Sequence, residues 1–174
     1  PTRPGTVAVI CVALCHEPAA DSAATERRGR IARYAVGEDY HQVMGDALRE
    51  LERCVTEALP GARALGYVDT GAILERGWAE RAGLGWTGKH SGVLSPSLGS
   101  WFVLGELLVD RDLEPDAAPV RDHCGTCTRC LDQCPTRAIV APYQVDARLC
   151  ISYLTIELRG PIPRELRPLV GDWI

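Results

Sequence analysis

The chain is short of the side chains that usually give a core its bulk: it has one Phe and one Met in 174 residues, and an aromatic share of 6%. That leaves the interior to Leu, Val, Ala and Ile. It has no apolar run near the roughly 20 residues needed to cross a bilayer, and no basic-then-apolar leader at its start. A soluble protein is therefore expected. Excess positive charge is also missing; the formal charge of -4 argues against an all-over basic nucleic-acid surface while leaving room for a local basic face. There is no internal repeat. With 46% hydrophobic and 24% charged residues, the composition is that of a folded globular domain and excludes disorder.

What is present in excess is cysteine, 8 residues beside 12 Pro and 17 Gly. Cys11, Cys15 and Cys54 are scattered, whereas Cys124, Cys127, Cys130 and Cys134 are crowded together and Cys150 follows. A disulfide-stapled domain spreads its pairs through a shorter chain, and two intervening residues are a poor spacing for bridging neighbours. A metal centre in a reducing compartment fits better.

The run Val7 to Leu14 is continuous, apolar and β-branched, and reads as a strand buried on both faces, bounded by Pro4-Gly5 and His16-Glu17-Pro18. The Ala-rich polar stretch from there to Arg30 reads as a surface loop or short helix. From Tyr40, Val43, Ala47, Leu48, Leu51, Val55 and Leu59 recur at helical steps, and Pro60-Gly61 ends the helix. Cys54 lies beside that stripe and reads as a small core residue. Ala64 to Val68 reads as a second buried strand delivering Asp69, Ile73 to Ala82 as a short helix stopped by Gly83, and Trp101 to Val109 as a third strand. The fold class expected is α/β, with helices covering a mixed-sheet layer and an incomplete ferredoxin-like iron-sulfur region after it. Leu113 to Pro119 is the linker, dividing residues 1–114 from residues 120–174.

Cys124 to Pro135 has the bacterial ferredoxin spacing C-x2-C-x2-C-x3-C-P. Three thiolates at three-residue steps wrap one cubane, and the fourth, before Pro, ligates a different cluster in two-cluster proteins. Zinc is the alternative, but it favours well-separated C-x2-C pairs. Assigning Cys124, Cys127 and Cys130 to one cluster and Cys134 with Cys150 to another leaves three ligands missing. Cys11, Cys15 and Cys54 equal that number but lack any loop spacing, and are read as structural.

Several stretches resemble one family, epoxyqueuosine reductase, the cobalamin and iron-sulfur enzymes that complete queuosine at the tRNA wobble position. They are Arg33-Tyr34-Ala35 with Asp39-Tyr40-His41; Val68-Asp69-Thr70 leading into Leu74-Glu75-Arg76; Ala79 to His90; Gly99-Ser100-Trp101-Phe102 with Leu104-Gly105-Glu106; and Asp146 to Gly160. The resemblance implies cobalamin and two 4Fe-4S clusters, a tRNA partner, a low-potential electron donor, a monomer and a cytoplasmic location. Carried over by position, Asp69 is the proton donor, and burial beside a corrin would favour its protonated form. Arg33, Asp69, Val93, Leu104 and Ser152 are the cobalamin contacts, with Val93 and Leu104 acting through main chain. Tyr40 and His41 would line the substrate pocket, Gly85 to Gly92 would form a backbone-rich loop along the corrin edge, and Lys89, His90 and Arg159 are candidates for tRNA phosphate. The resemblance also implies an earlier segment, a C-x2-C-x3-C-P motif just past Ile174 that supplies the missing ligands, and a further C-terminal part, so the chain reads as an internal fragment. Two other readings are a corrinoid reductive dehalogenase and a plain ferredoxin-type electron-transfer module with an α/β scaffold.

Overall fold

The computed structural model describes residues 5–16, 29–116 and 118–173. The expectations for residues 1–4, 17–28, 117 and 174 lie outside the described residues.

The first half is built on three strands, β1 (Ala8–Cys15), β2 (Ala64–Tyr67) and β5 (Phe102–Val109), in the order β1-β5-β2. Both pairings are antiparallel, with Ile10 opposite Leu107 and Gly66 opposite Leu107. The mixed sheet expected from the alternation of strands and helices is therefore corrected. The last strand enters between the first two and runs against both, so no parallel crossover forms. The same topology corrects the reading of β1 as buried on both faces. It is an edge of this sheet and only half-buried, whereas the central β5 is buried from Gly105 to Val109.

Helix α1 (Tyr40–Ala58) covers one face of the sheet. Asp39 caps it, its carboxylate accepting from the His41 N–H at 3.0 Å, which satisfies one of the free donors of the first turn. Met44 and Leu48 are buried from the helix side against Leu107 and Val109, with Leu51, Val55, Ile10 and Val12 around them. The stripe is thus rotated from the one read in sequence, since Val43 is exposed and Met44 is the buried anchor. Gly105 makes this approach possible, because a Cβ there would sit 2.8 Å from the Met44 Sδ. Cys54 is exposed on the far side of the helix, which corrects its reading as a core residue.

Side chains of β5 alternate, so Phe102, Leu104, Glu106 and Leu108 point away from α1. On that side lie α2 (Glu75–Arg81), with Ala79 fully buried, and the two-residue strands β3 (Trp86–Thr87) and β4 (Val93–Leu94). Gly83, at φ 78°, stops α2 as expected. The β3–β4 pair means that the expected open loop from Gly85 to Gly92 is a hairpin, closed by Gly88 N–H to Gly92 O at 2.8 Å.

The second half carries little regular structure: α3 (Arg129–Gln133), the hairpin β6 (Ile139–Ala141) and β7 (Gln144–Val145), a π-helical turn at Tyr153–Glu157, and α4 (Arg167–Val170). Its small core is Ala138, Leu154 and Val170 with the buried Thr136. Near its end the chain returns to the first half, where Arg30 pairs with Asp172 at 2.6 Å and lies over the Trp173 ring.

Candidate functional site

Asp69 follows β2 by two residues and adopts a left-handed backbone (φ 54°), a conformation that Asp tolerates better than most residues. Two contacts fix it. Its N–H donates to Glu75 Oε1 at 2.6 Å, and its carboxylate Oδ2 lies 3.3 Å from His41 Nε2. The other nitrogen of that ring, Nδ1, lies 2.7 Å from Asp39 Oδ1, so one imidazole links two carboxylates. The Asp39 hydrogen bond, with a smaller share from Asp69, holds the His41 pKa above its ordinary value. The Tyr40 ring stacks on His41 at 4.0 Å, and burial, with the nearby Asp69 charge, pushes its phenol up to about 12. Desolvation raises Glu75, against the lowering effect of the Asp69 N–H.

These groups open onto a cleft of about 290 Å³ that Tyr40, Asp69, Glu75, Arg76, Val93 and Leu104 line together. Five side chains singled out in the sequence (Tyr40, Asp69, His90, Val93 and Leu104) thus share one cavity. Arg33 lines an adjoining cleft of about 340 Å³ that shares Tyr40 and Val103 with the first, and its guanidinium lies 4.5 Å above the Trp101 ring. Ser152 is exposed and lines neither cleft. Asp69 itself is 56% exposed, so the burial expected for it is not supplied by this chain's own side chains.

The cysteine loop lies against the β3–β4 hairpin. The Trp86 Nε1–H points at Cys124 Sγ, 3.5 Å away, and the Lys89 ammonium donates to the carbonyls of Gly125 (2.6 Å) and Cys127 (2.9 Å). Lys89 is only 9% exposed, which corrects its reading as a contact for tRNA phosphate. Within the loop, Cys127 N–H donates to Cys124 O at 2.9 Å, and Gly125 takes φ 46° to make the turn. Cys130 sits in α3 and Cys134 ends it. The Cys134 Sγ accepts from Ala138 N–H at 3.2 Å. Burial pushes that thiol up, but the N–H groups of Ile139, Ala138 and Thr136 and the Thr136 hydroxyl outweigh it, leaving the pKa below its ordinary value. Cys150 follows a short turn capped by Asp146, whose carboxylate accepts from Arg148 N–H at 3.0 Å. All eight cysteines are free thiols. Among the described residues no three Cys, His, Asp or Glu side chains converge as ligands of a single metal ion.

Sequence reasoning missed the His41 bridge, the Glu75 anchor and the hairpin's hold on the cysteine loop. It also missed Glu106, which is fully buried on the cleft side of β5 with both carboxyl oxygens lacking a hydrogen-bond partner. Burial, with the neighbouring Glu75 charge, pushes its pKa up to about 8. The one available signal was a charged residue inside the otherwise apolar run Phe102 to Val109.

Residues 2–70 match the family described as "Epoxyqueuosine reductase QueG, DUF1730", and residues 123–174 match the "4Fe-4S double cluster binding domain". The chain is 48% identical to the epoxyqueuosine reductase of Gloeobacter violaceus over 98% of its own length and 53% of that protein. It superposes with a TM-score of 0.90, at 37% identity, on a crystal structure of epoxyqueuosine reductase with an epoxyqueuosine-modified tRNA stem loop, covering 98% of this chain and 46% of that one. On the Bacillus subtilis enzyme, solved with an aspartate-bearing catalytic loop swung out of its active site, the TM-score is 0.89 at 36% identity, over 98% of this chain and 45% of that one. The chain spans about half the length of the relatives it matches. Along nearly all of its length, in sequence and in fold, this chain is similar to the epoxyqueuosine reductases.

Proposed function

We propose that the protein to which this chain contributes reduces the epoxide of epoxyqueuosine in tRNA, and that residues 1–114 and 120–174 supply its cofactor-facing and cluster-binding parts. The observation that carries this reading is the joining of two sites by one hairpin: β4 lines the Asp69 cleft while β3 touches the cysteine loop. The reaction takes two electrons and two protons and turns the epoxide into an alkene and water.

For the clusters, the donor set fits. Thiols at ferredoxin spacing receive N–H groups from Trp86 and Ala138, the kind of contact that iron-sulfur sites use to stabilise charge on sulfur. Cys124, Cys127 and Cys130 would hold one cluster, and Cys134 and Cys150 would contribute to a second. For cobalamin, the two adjoining clefts offer an apolar floor of Val93, Val103 and Leu104, with main-chain groups and Arg33 at the side. Ser152, exposed and outside both clefts, stays a proposal that needs the bound cofactor to bring it into contact. When bound, cobalamin supplies a reducible cobalt and the clusters supply electrons one at a time.

The chain's own residues do the rest. Asp69 presents its carboxyl to the departing oxygen and gives up a proton there. His41, held by Asp39, keeps that carboxyl in place from one side, and Glu75 holds the backbone from the other. A catalytic loop bearing an aspartate in the Bacillus subtilis relative supports an aspartate in this role. Asp69→Asn, which keeps the turn and the hydrogen bonds but has no acidic proton, is expected to abolish turnover on epoxyqueuosine-tRNA while cobalamin still binds by absorption. Full activity in that variant would sink the assignment. A corrin-free absorption spectrum after anaerobic reconstitution would point instead to an electron-transfer module, and turnover of a halogenated organic in place of the tRNA would point to a dehalogenase.

A further inference from the structure

Lys89 is the only lysine of the chain, in which 18 other cationic side chains are Arg. It lies nine-tenths buried at the turn of the β3–β4 hairpin, and both of its hydrogen bonds run into the C-x2-C-x2-C loop. None of the ion pairs among the described residues involves it. A buried ammonium costs several kcal/mol unless hydrogen-bonded and electrostatically compensated, and two carbonyls give the first without neutralising the charge. The shape of the site explains the residue type. A compact ammonium with rotatable donors reaches two converging carbonyls, whereas the planar fork of Arg is built for carboxylates and phosphates. The same hairpin aims the Trp86 N–H at Cys124 Sγ. An acid that feels the Lys89 charge is Asp122, occupied by the Cys124 N–H at 2.6 Å and by the Tyr143 hydroxyl.

We propose that Lys89, assisted by Trp86, sets the reduction potential of the cluster held by Cys124, Cys127 and Cys130, raising it so that the low-potential donor can fill it. This rests on the cluster reading above and goes beyond it by making Lys89 a positioning and tuning residue. The physical basis is charge. One-electron reduction adds a negative charge to the cluster, and a fixed cation or an N–H directed at sulfur in a poorly solvated site favours the reduced form. Asp122 acts in the opposite sense, so the net field at the loop is the difference of two nearby charges of opposite sign.

The test is an anaerobic redox titration with dithionite, followed by EPR, on the iron- and sulfide-reconstituted full-length protein to which this chain contributes, with iron measured in every sample. Lys89→Met is expected to lower the reduced-to-oxidised ratio at a fixed applied potential about tenfold, which is 59 mV for one electron. Lys89→Arg, keeping the charge, is expected to recover most of that shift, Trp86→Phe to move the potential down by less, and Asp122→Asn to move it up. A Lys89→Met protein whose cluster titrates at the unsubstituted potential overturns the inference. Should that variant hold no iron, the potential is read on Lys89→Gln, whose neutral amide keeps a hydrogen-bond donor at the site. Loss of the cluster there too would mark Lys89 as scaffold only and also overturn it. Failure of the unsubstituted full-length protein to bind any iron-sulfur cluster is a different outcome, which removes the cluster reading as well.

Discussion

Two acidic residues, Asp39 and Glu106, behave oppositely, and the difference is solvent. Asp39 is exposed and accepts from His41, which holds its carboxyl below the ordinary range, whereas Glu106 is fully buried with no partner and is held neutral up to about 8. Between the unfolded carboxyl pKa near 4.3 and about 8, the folded state keeps a proton on Glu106 that the unfolded state has lost. Stability therefore falls as pH rises through that window and levels off above it. Urea midpoints between pH 5 and pH 8.5 should show this slope, and Glu106→Gln, which is neutral throughout, should flatten it; an unchanged slope would place the titrating group elsewhere. His41 acts in the same direction. Its pKa is raised, so its ion pairs contribute fully below about 6.5 and are lost as pH rises through the folded value. In an NMR titration its imidazole should turn over above 6.5 and move back toward that value in Asp39→Asn.

At the level of elements, the molecule depends on two close approaches that only glycine allows. Where α1 meets the sheet, Gly105 leaves room for Met44, and Gly105→Ala should cost about 1–3 kcal/mol by overpacking, read from urea denaturation. Where the hairpin meets its own strand, a Cβ on Gly85 would sit 2.0 Å from the Leu94 carbonyl oxygen, a clash with backbone that no rotamer relieves. Gly85→Ala should therefore leave α1 and its sheet folded, judged by far-UV circular dichroism, but release the hairpin from the cysteine loop and lower iron retention. Equal iron retention would show that the loop does not need the hairpin. The cap on α1 is a smaller matter: Asp39→Ala should lower the urea midpoint by less than Gly105→Ala does.

For the whole molecule, the ordering of the strands matters more than their number. Because β5 slots between β1 and β2, the cleft has a floor from the last strand, a wall from the turn after β2 and a rim from the hairpin between them. Three segments distant in sequence meet there, and the hairpin carries the contact onward to the cysteines. The chain spans about half of its relatives and holds five cysteines at ferredoxin-type positions. Anaerobic reconstitution of this chain alone should accordingly bind fewer than the roughly eight irons of two cubanes, and the iron should be readily chelated. Two complete and stable clusters, by iron and sulfide analysis, would contradict the count of five cluster ligands.

Much was legible before any coordinates, because it depends on local periodicity or on chemistry carried in short spacing. The helix at Tyr40, the short helix stopped by Gly83, the strand ending at Val109 and the cysteine motif all belong to this class. Asp69, Val93 and Leu104 were reached only by resemblance, and the fold brings them into one cleft. What sequence could not determine was which strands pair, since apolar runs of equal length look alike whether central or at an edge, and here that choice made the sheet antiparallel and left β1 half-exposed. Nor could it tell a solvated Lys from one turned inward. Lys89 and Glu106 are ordinary charged letters in the chain, and only the tertiary structure, by removing water from around both, makes one a buried charge at the cysteine loop and the other a neutral acid beneath the cleft.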